Sequence, residues 1–248
     1  MATFVMVHGS WHGAWCWNKV AKELRATGHR VITPDLPGHG SDQTPISAIS
    51  LKSYTEAICR VINEQADPVV LVGHSRGGIV ISEVAEALPD RVKSLVYLAA
   101  YLLQDGQSML QVALGDRDSL IVQNLILNEE GGYHLLRDEA IAPALYADCS
   151  AEDIAWAQSQ FVPEPNAPVG TPIHITPERY GQVRRYYIEC LQDKALTPAI
   201  QRQMYTAMPC QEVLSLETSH SPFFSAPQQL ARQLDGLAEA LQSISYAV

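Results

Sequence analysis

Basic charge is scarce in these 248 residues: 17 lysines and arginines face 27 aspartates and glutamates, leaving a formal net charge of −10, and nowhere do the basic residues form a run. A surface of that sign does not neutralise phosphates, which excludes nucleic acid as an expected partner. Cysteine is sparse too. The five (Cys16, Cys59, Cys149, Cys190, Cys210) are scattered, odd in number and without CxxC spacing, so buried, reduced thiols are expected rather than a disulfide framework or a zinc site. No segment is apolar over a transmembrane length, and the opening "MATFVMVHGSWHG" lacks both a basic leader and a signal-length apolar core. The expectation is a cytoplasmic protein with no membrane partner. Internal repeats and low-complexity tracts are also missing.

What is there is an alternation of short apolar runs with stretches of helical spacing, the pattern of a mostly parallel sheet covered by helices. Phe4 to Val7 reads as a strand, and Trp17, Val20, Ala21 and Leu24 then fall on one helical face, with Gly28 where a left-handed C-terminal cap is wanted. Val31 to Thr33, Val69 to Val72, Leu95 to Leu98, Arg185 to Glu189 and Val213 to Leu216 continue the strands. Between them, Tyr54 to Gln65 turns Ile58, Val61 and Ile62 inward, and Thr197-Pro198 reads as the N-cap and first position of another helix. Leu230, Leu234, Leu237 and Leu241 give the last helix one apolar face. The rhythm breaks after Ala100. Glu139 to Tyr146 and Glu152 to Phe161 are helical but no strand stands out, and "VPEPNAPVGTP" looks like a linker. The layout expected is therefore a core over 1–103 and 181–248 with a helical cap over 104–180.

The stretch "PVVLVGHSRGGIVISEVAEAL" sets Ser75 between Gly73 and Gly77, where an all-apolar strand gives way to a helix. G-x-S-x-G in that context is a nucleophile elbow: a strained turn, crowded on both sides, that lifts the serine hydroxyl above the end of the strand. The following helix aims its backbone N–H groups and dipole at any anion formed there. A serine hydroxyl needs a base, normally a histidine oriented by a carboxylate. His220 in "LETSHSPFF" lies between the last strand and last helix, at the same sheet edge, whereas His134 and His174 fall in the cap and the linker. Two carboxylates compete for the third role: Asp193 in "IECLQDKAL", past the strand before, and Asp105, past the strand that follows the nucleophile helix. Asp193 is nearer His220 in strand order and is preferred. The loop "VHGSWHGAW" follows the first strand, so the backbone N–H groups of Ser10 and Arg76 are the expected oxyanion donors, a role that needs only their amides and leaves their side chains unassigned. His8 and His12 are spaced i, i+4 but sit in a loop, which makes them poor metal ligands.

Six segments, "FVMVHGSWHGAWCW", "GHRVITPDLPGHGSD", "VGHSRGG", "YADCSAEDIAWAQSQFV", "IECLQDKAL" and "LETSHSPFF", together resemble the α/β-hydrolase branch of plant methyl esterases, the salicylate-binding esterase, hydroxynitrile lyases and bacterial esterase relatives. The resemblance spans nearly the whole chain. It implies an α/β-hydrolase fold of about six mostly parallel strands flanked by helices, with an inserted helical cap and catalytic Ser75, Asp193 and His220; "QDKAL" matches the family's acid loop. Lyases of this type carry a threonine after the first loop's histidine and a lysine after the catalytic histidine, where this chain has Gly9 and Ser221, so hydrolysis is the expected chemistry. The implied activity is a carboxylesterase for small methyl or aryl esters of apolar or aromatic acids, requiring no metal or organic cofactor. Trp156, Phe161, Tyr133 and Tyr146 are candidates for the pocket lining. A ligand receptor on the same fold is the rival reading, and a homodimer is left open.

Overall fold

Strands of uniform apolar composition, too short to span more than one layer, assemble here into a central sheet. β1 (Thr3–Val7), β2 (Arg30–Ile32), β3 (Val69–His74) and β4 (Val92–Leu98) come first; an insertion carries β5 (Leu125–Asn128), β6 (Tyr133–Leu136) and β7 (Glu164–Pro165); β8 (Arg185–Cys190) and β9 (Glu212–Leu216) follow. In the computed structural model the backbone of residues 1–245 and the side chains of residues 1–240 are described, so the side chain of Leu241 lies outside the described residues. The main sheet runs β2-β1-β3-β4-β8-β9 with every pair parallel.

Alternate residues of each strand feed two cores. Phe4, Met6, Val70, Val72, Val96 and Leu98 face one side, against α1 (Asn18–Ala26) and the long C-terminal helix. Val5, Val7, Leu71, Leu95 and Tyr97 face the other, against α2 (Leu51–Asn63) and α3 (Gly77–Ala87). Most of these side chains are fully buried, each contributing about 1.5–3 kcal/mol of transfer free energy. Gly28 ends α1 with φ +87°, a conformation an L side chain resists. α2 begins at Leu51, earlier than the apolar spacing suggests, because Ser50 and Ser53 form a reciprocal capping box.

The insertion corrects the sequence-based expectation of an all-helical cap. Besides α4 (Met109–Gly115), α5 (Asp138–Leu145), α6 (Ala151–Ser159) and α7 (Asn166–Gly170), it holds an antiparallel sheet in the order β5-β6-β7. Its strands are four, four and two residues long, too short for alternation to declare itself. The proline-rich tail is likewise no bare linker. Glu164–Pro165 forms β7, an edge strand where proline is tolerated, with Glu164 opposite His134. α8 (Pro198–Ala207), α9 (Pro222–Ser225) and α10 (Pro227–Ser245) complete the chain. Thr197 stands at the N-cap of α8, but its hydroxyl donates to Asp116 Oδ1 at 2.8 Å rather than capping the helix. Among the described residues no helix is long and apolar enough to cross a membrane.

One consequence of strand order matters most for function. From β1 the chain goes to β2 on one side, while β3 lies on the other, so the loops leaving β1 and β3 diverge around a crevice at the C-terminal edge. The loops after β8 and β9 end at the same edge, because all six strands are parallel.

Candidate active site

Ser75 sits at the end of β3 with φ +53°, in the left-handed region that a serine enters only under constraint. The constraint is visible: Ser75 N donates to Leu98 O at 3.3 Å, and Ser75 O accepts from Gly78 N at 3.0 Å and Tyr101 N at 3.1 Å. Two glycines let the following helix start this close. A Cβ on Gly77 would lie 2.8 Å from Val7 O, and one on Gly78 would lie 2.4 Å from Tyr101 O. Ser75 is partly exposed, although His74 and Arg76 on either side are buried.

His220 and Asp193 meet at the same sheet edge, with the His220 ring centre 4.5 Å from that of His74, the residue before the serine. The Nδ1 of His220 is 2.7 Å from Asp193 Oδ2, with both side chains almost wholly buried. Asp193 is itself held by four donors: Ala195 N and Leu196 N reach Oδ1 at 2.7 and 2.9 Å, and Gln201 Nε2 joins the histidine on Oδ2 at 3.2 Å. The backbone of His220 is fixed from below, its carbonyl accepting from His74 Nε2 at 2.8 Å. From the insertion, Asp148 accepts from both the N–H and the hydroxyl of Ser219. Asp105, the competing carboxylate, is elsewhere: its side chain is 63% exposed, accepts from Ile175 N at 3.0 Å and lies 3.8 Å from His174. Neither Gln201 nor His74 is marked by any motif.

The loop after β1 brings Gly9 against the serine, since a Cβ on Gly9 would lie 2.9 Å from Ser75 Cβ. Its histidines are structural. Leu36 N donates to His8 Nε2 at 3.1 Å, which leaves Nδ1 to donate to Gly9 O at 2.9 Å. His12 Nδ1 donates to Ser10 O at 2.6 Å and its Nε2 accepts from the Tyr146 hydroxyl at 2.5 Å. Burial lowers the proton affinity of both rings, bringing the pKa of His12 down to about 3. Their ring nitrogens are thus committed to hydrogen bonds within the protein, and among the described residues no group of three or more His, Cys, Asp or Glu side chains is arranged to hold a metal ion.

The side chain of Arg76, unassigned by the sequence, has partners of its own. It is fully buried, with Nε 2.7 Å from Glu164 Oε1, Nη2 donating to Gly9 O at 3.0 Å and the guanidinium carbon 4.6 Å from the centre of the Tyr54 ring. The other carboxylate oxygen of Glu164 accepts from Trp11 N at 2.9 Å and lies 3.0 Å from His39 Nε2. Burial pushes the Glu164 carboxyl up, but Arg76 and His39 outweigh it and bring its pKa down to about 2. An arginine between an apolar strand and an apolar helix is itself a signal that a counter-charge has to be near.

Comparison with known proteins identifies the family. Residues 4–233 match the model of the alpha/beta hydrolase family. The chain belongs to the α/β-hydrolase family. Within it, the chain is 33% identical over 250 residues to methylesterase 7 of Arabidopsis thaliana, covering 95% of this chain and 96% of that one. A pyrethroid hydrolase of Sphingobium wenxiniae is 31% identical over 245 residues, covering 95% and 87%. The crystal structure of a pyrethroid hydrolase from Sphingobium faniae superposes with a TM-score of 0.86 at 29% identity, covering 96% and 98%. Some chloroplastic Arabidopsis methylesterases are longer, and the chain spans 62% of the length of one that it matches at 33% identity.

In this α/β-hydrolase an apolar cavity of about 390 Å³ opens between α4 and the inserted sheet. It runs from the buried Ser10 and Trp11, past Tyr101, Met109 and Ile121, to the exposed Leu114 and Leu127. The Ser10 hydroxyl is buried and has no hydrogen-bond partner among the described residues. None of the four aromatic residues expected to line the pocket reaches this cavity. Tyr146 and Phe161 pack around His12, Trp156 stands edge-on to Trp15 and Phe224, and the Tyr133 hydroxyl accepts from Asn128. They stabilise the seat of the insertion, a role that aromatic content alone does not separate from substrate contact.

Proposed function

We propose that the protein is a serine carboxylesterase acting on small esters of apolar or aromatic acids. The carrying observation is the buried His220–Asp193 pair at 2.7 Å, on the same sheet edge as a serine held at φ +53°. In this reading His220 Nε2 takes the proton of Ser75 as the hydroxyl oxygen attacks the ester carbonyl, while Asp193 keeps Nδ1 protonated and aimed. Charge accumulates on the carbonyl oxygen, where the N–H groups of Ser10 and Arg76 receive it. The imidazolium then protonates the departing alkoxide and an acyl-enzyme remains. Water, deprotonated by the same histidine, attacks that ester; the acid leaves and Ser75 regains its proton.

The cavity supports the substrate class, because an acyl or aryl group lying against Met109, Ile121 and Leu125 meets almost no polar surface. Relatives named as methylesterase and pyrethroid hydrolase act on esters, which favours hydrolysis over a receptor role.

The test pairs intact-mass measurement after a serine-directed fluorophosphonate with steady-state hydrolysis of p-nitrophenyl and methyl esters. One adduct that disappears in Ser75→Ala, accompanied by turnover, supports the esterase reading. Labelling with no turnover favours a receptor or another reaction on the same residues; absence of labelling refutes an activated Ser75.

A further inference from the structure

The loop from Gly9 to Trp11 is pinned through its backbone. Gly9 C=O accepts from His8 Nδ1 at 2.9 Å and Arg76 Nη2 at 3.0 Å, Ser10 C=O accepts from His12 at 2.6 Å, and Trp11 N–H donates to Glu164 at 2.9 Å. The N–H that shares a peptide unit with the pinned Gly9 carbonyl is that of Ser10. In a trans peptide the C=O and N–H point in opposite directions. With the Gly9 carbonyl turned into the buried guanidinium, the Ser10 N–H must turn away from it, toward the crevice and cavity that Ser10 borders. Trp11 completes the bend with φ +60°, another strained residue held by its neighbours.

We propose that the Arg76 side chain, clamped by Glu164 of the insertion, is a positioning group for the Ser10 amide. Arg76 then serves the site twice. Its backbone N–H is one donor to the developing oxyanion, and its guanidinium orients and polarises the peptide that carries the other. A charge-assisted bond to the carbonyl draws electron density from the amide and strengthens its N–H as a donor. Glu164 keeps that cation in place and holds the far side of the loop through Trp11. His39, between Gly38 and Gly40, supports Glu164 with Nε2 at 3.0 Å while its Nδ1 lies 3.1 Å from Pro37 O. Because Glu164 belongs to β7, the seating of the insertion and the geometry of the oxyanion loop become one event.

This inference rests on the esterase reading, and the experiment separates the two. Arg76→Met/Glu164→Gln replaces the ion pair by neutral side chains of similar length, so neither charge is stranded. Arg76→Lys keeps the charge but loses the planar fork that reaches both Glu164 and Gly9. Each variant is compared with wild type in melting temperature, in kcat and KM on a p-nitrophenyl ester, and in inhibition by two probes. A trifluoromethyl ketone forms an oxyanion adduct with Ser75, whereas the matching secondary alcohol cannot. Expected are a fall in kcat of about 10- to 100-fold, below the loss from deleting a donor outright, and a parallel weakening of ketone inhibition. KM and alcohol binding should stay within a few-fold. A folded variant with wild-type kcat, or one that loses both probes equally, overturns the positioning role. If neither variant folds, Glu164→Gln alone, nearly isosteric and still an acceptor for Trp11, is held to the same outcomes. Wild type that neither labels nor turns over ester refutes the esterase reading itself, before any variant is needed.

Discussion

Asp193→Asn isolates the carboxylate charge with little change in shape. The aspartate accepts at both oxygens: two backbone N–H groups on Oδ1, Gln201 and His220 on Oδ2. An asparagine must leave its oxygen facing Ala195 N and Leu196 N, since those two donors cannot move without unwinding the turn. Its amide nitrogen then faces Gln201 Nε2 and His220 Nδ1. To avoid two opposed donors the imidazole moves its proton to Nε2, the atom that must accept from Ser75. The loss expected from such a wrong tautomer is about 10⁴-fold in kcat, equivalent to about 5.4 kcal/mol of transition-state stabilisation. Steady-state hydrolysis of a p-nitrophenyl ester at fixed pH measures it, with thermal unfolding checking that the fold survives. Asp105→Asn is the control: that side chain is largely exposed, and its loss costs a bond to Ile175 N and little else. A tenfold effect or less at Asp193, or a larger effect at Asp105, refutes the assignment.

His220→Ala should cut turnover by several orders of magnitude while leaving the melting temperature within a few degrees, as read by the same assay and by calorimetry. Gly9→Ala introduces a methyl 2.9 Å from Ser75 Cβ and 3.0 Å from His74 Nδ1; kcat is expected to fall about 100-fold by displacement of the oxyanion loop, and unchanged kinetics would remove Gly9 from the site. Filling the apolar cavity with Ala113→Trp should depress kcat/KM for long-chain and aryl esters at least tenfold relative to acetate esters, measured across a p-nitrophenyl series. Acid should destabilise the fold through His8, His12 and His74, whose folded pKa values burial holds below the ordinary range. As pH falls below about 6.5 the unfolded chain takes up protons that the folded chain refuses, so stability drops by up to about 1.4 kcal/mol per pH unit for each ring. For His12 that loss continues until the pH reaches its folded value of about 3. Urea titrations between pH 7 and 5 should show this slope, and His12→Gln should make it shallower by one histidine's share.

Where the sequence was legible, local composition and tertiary environment agreed. Val69 to Val72 of β3 are all apolar because the strand is buried on both faces, and Ser75 stands out because a polar residue between glycines follows that run. Parallel topology then does the remaining work: naming the residues after each strand also names the residues of one edge, which is why Asp193 and His220 could be selected from chain position. The inserted sheet was harder. "LILNEEGGYHLL" does contain a turn signal, Gly131-Gly132 between two apolar quartets. Yet Ile126 and Leu127 on the first strand are exposed, so no inward and outward alternation marks it.

The supporting residues are the least legible, for a physical reason. Gln201, His74, His39 and Glu164 act by satisfying buried partners that lie between 8 and 153 positions away along the chain. Such pairs leave no period and no spacing, because their separation is set by how the chain returns rather than by any element's repeat. What the sequence does show is one half of each pair. A charged side chain in a run that must be buried, such as Arg76, requires a counter-charge, but many acidic residues could supply it until the fold selects one. Glu164 is selected because β7 pairs with β6 and thereby lays its carboxylate against the loop after β1. The least predictable part of the chain, a two-residue strand in a proline-rich stretch, thus supplies the charge that completes the most predictable one.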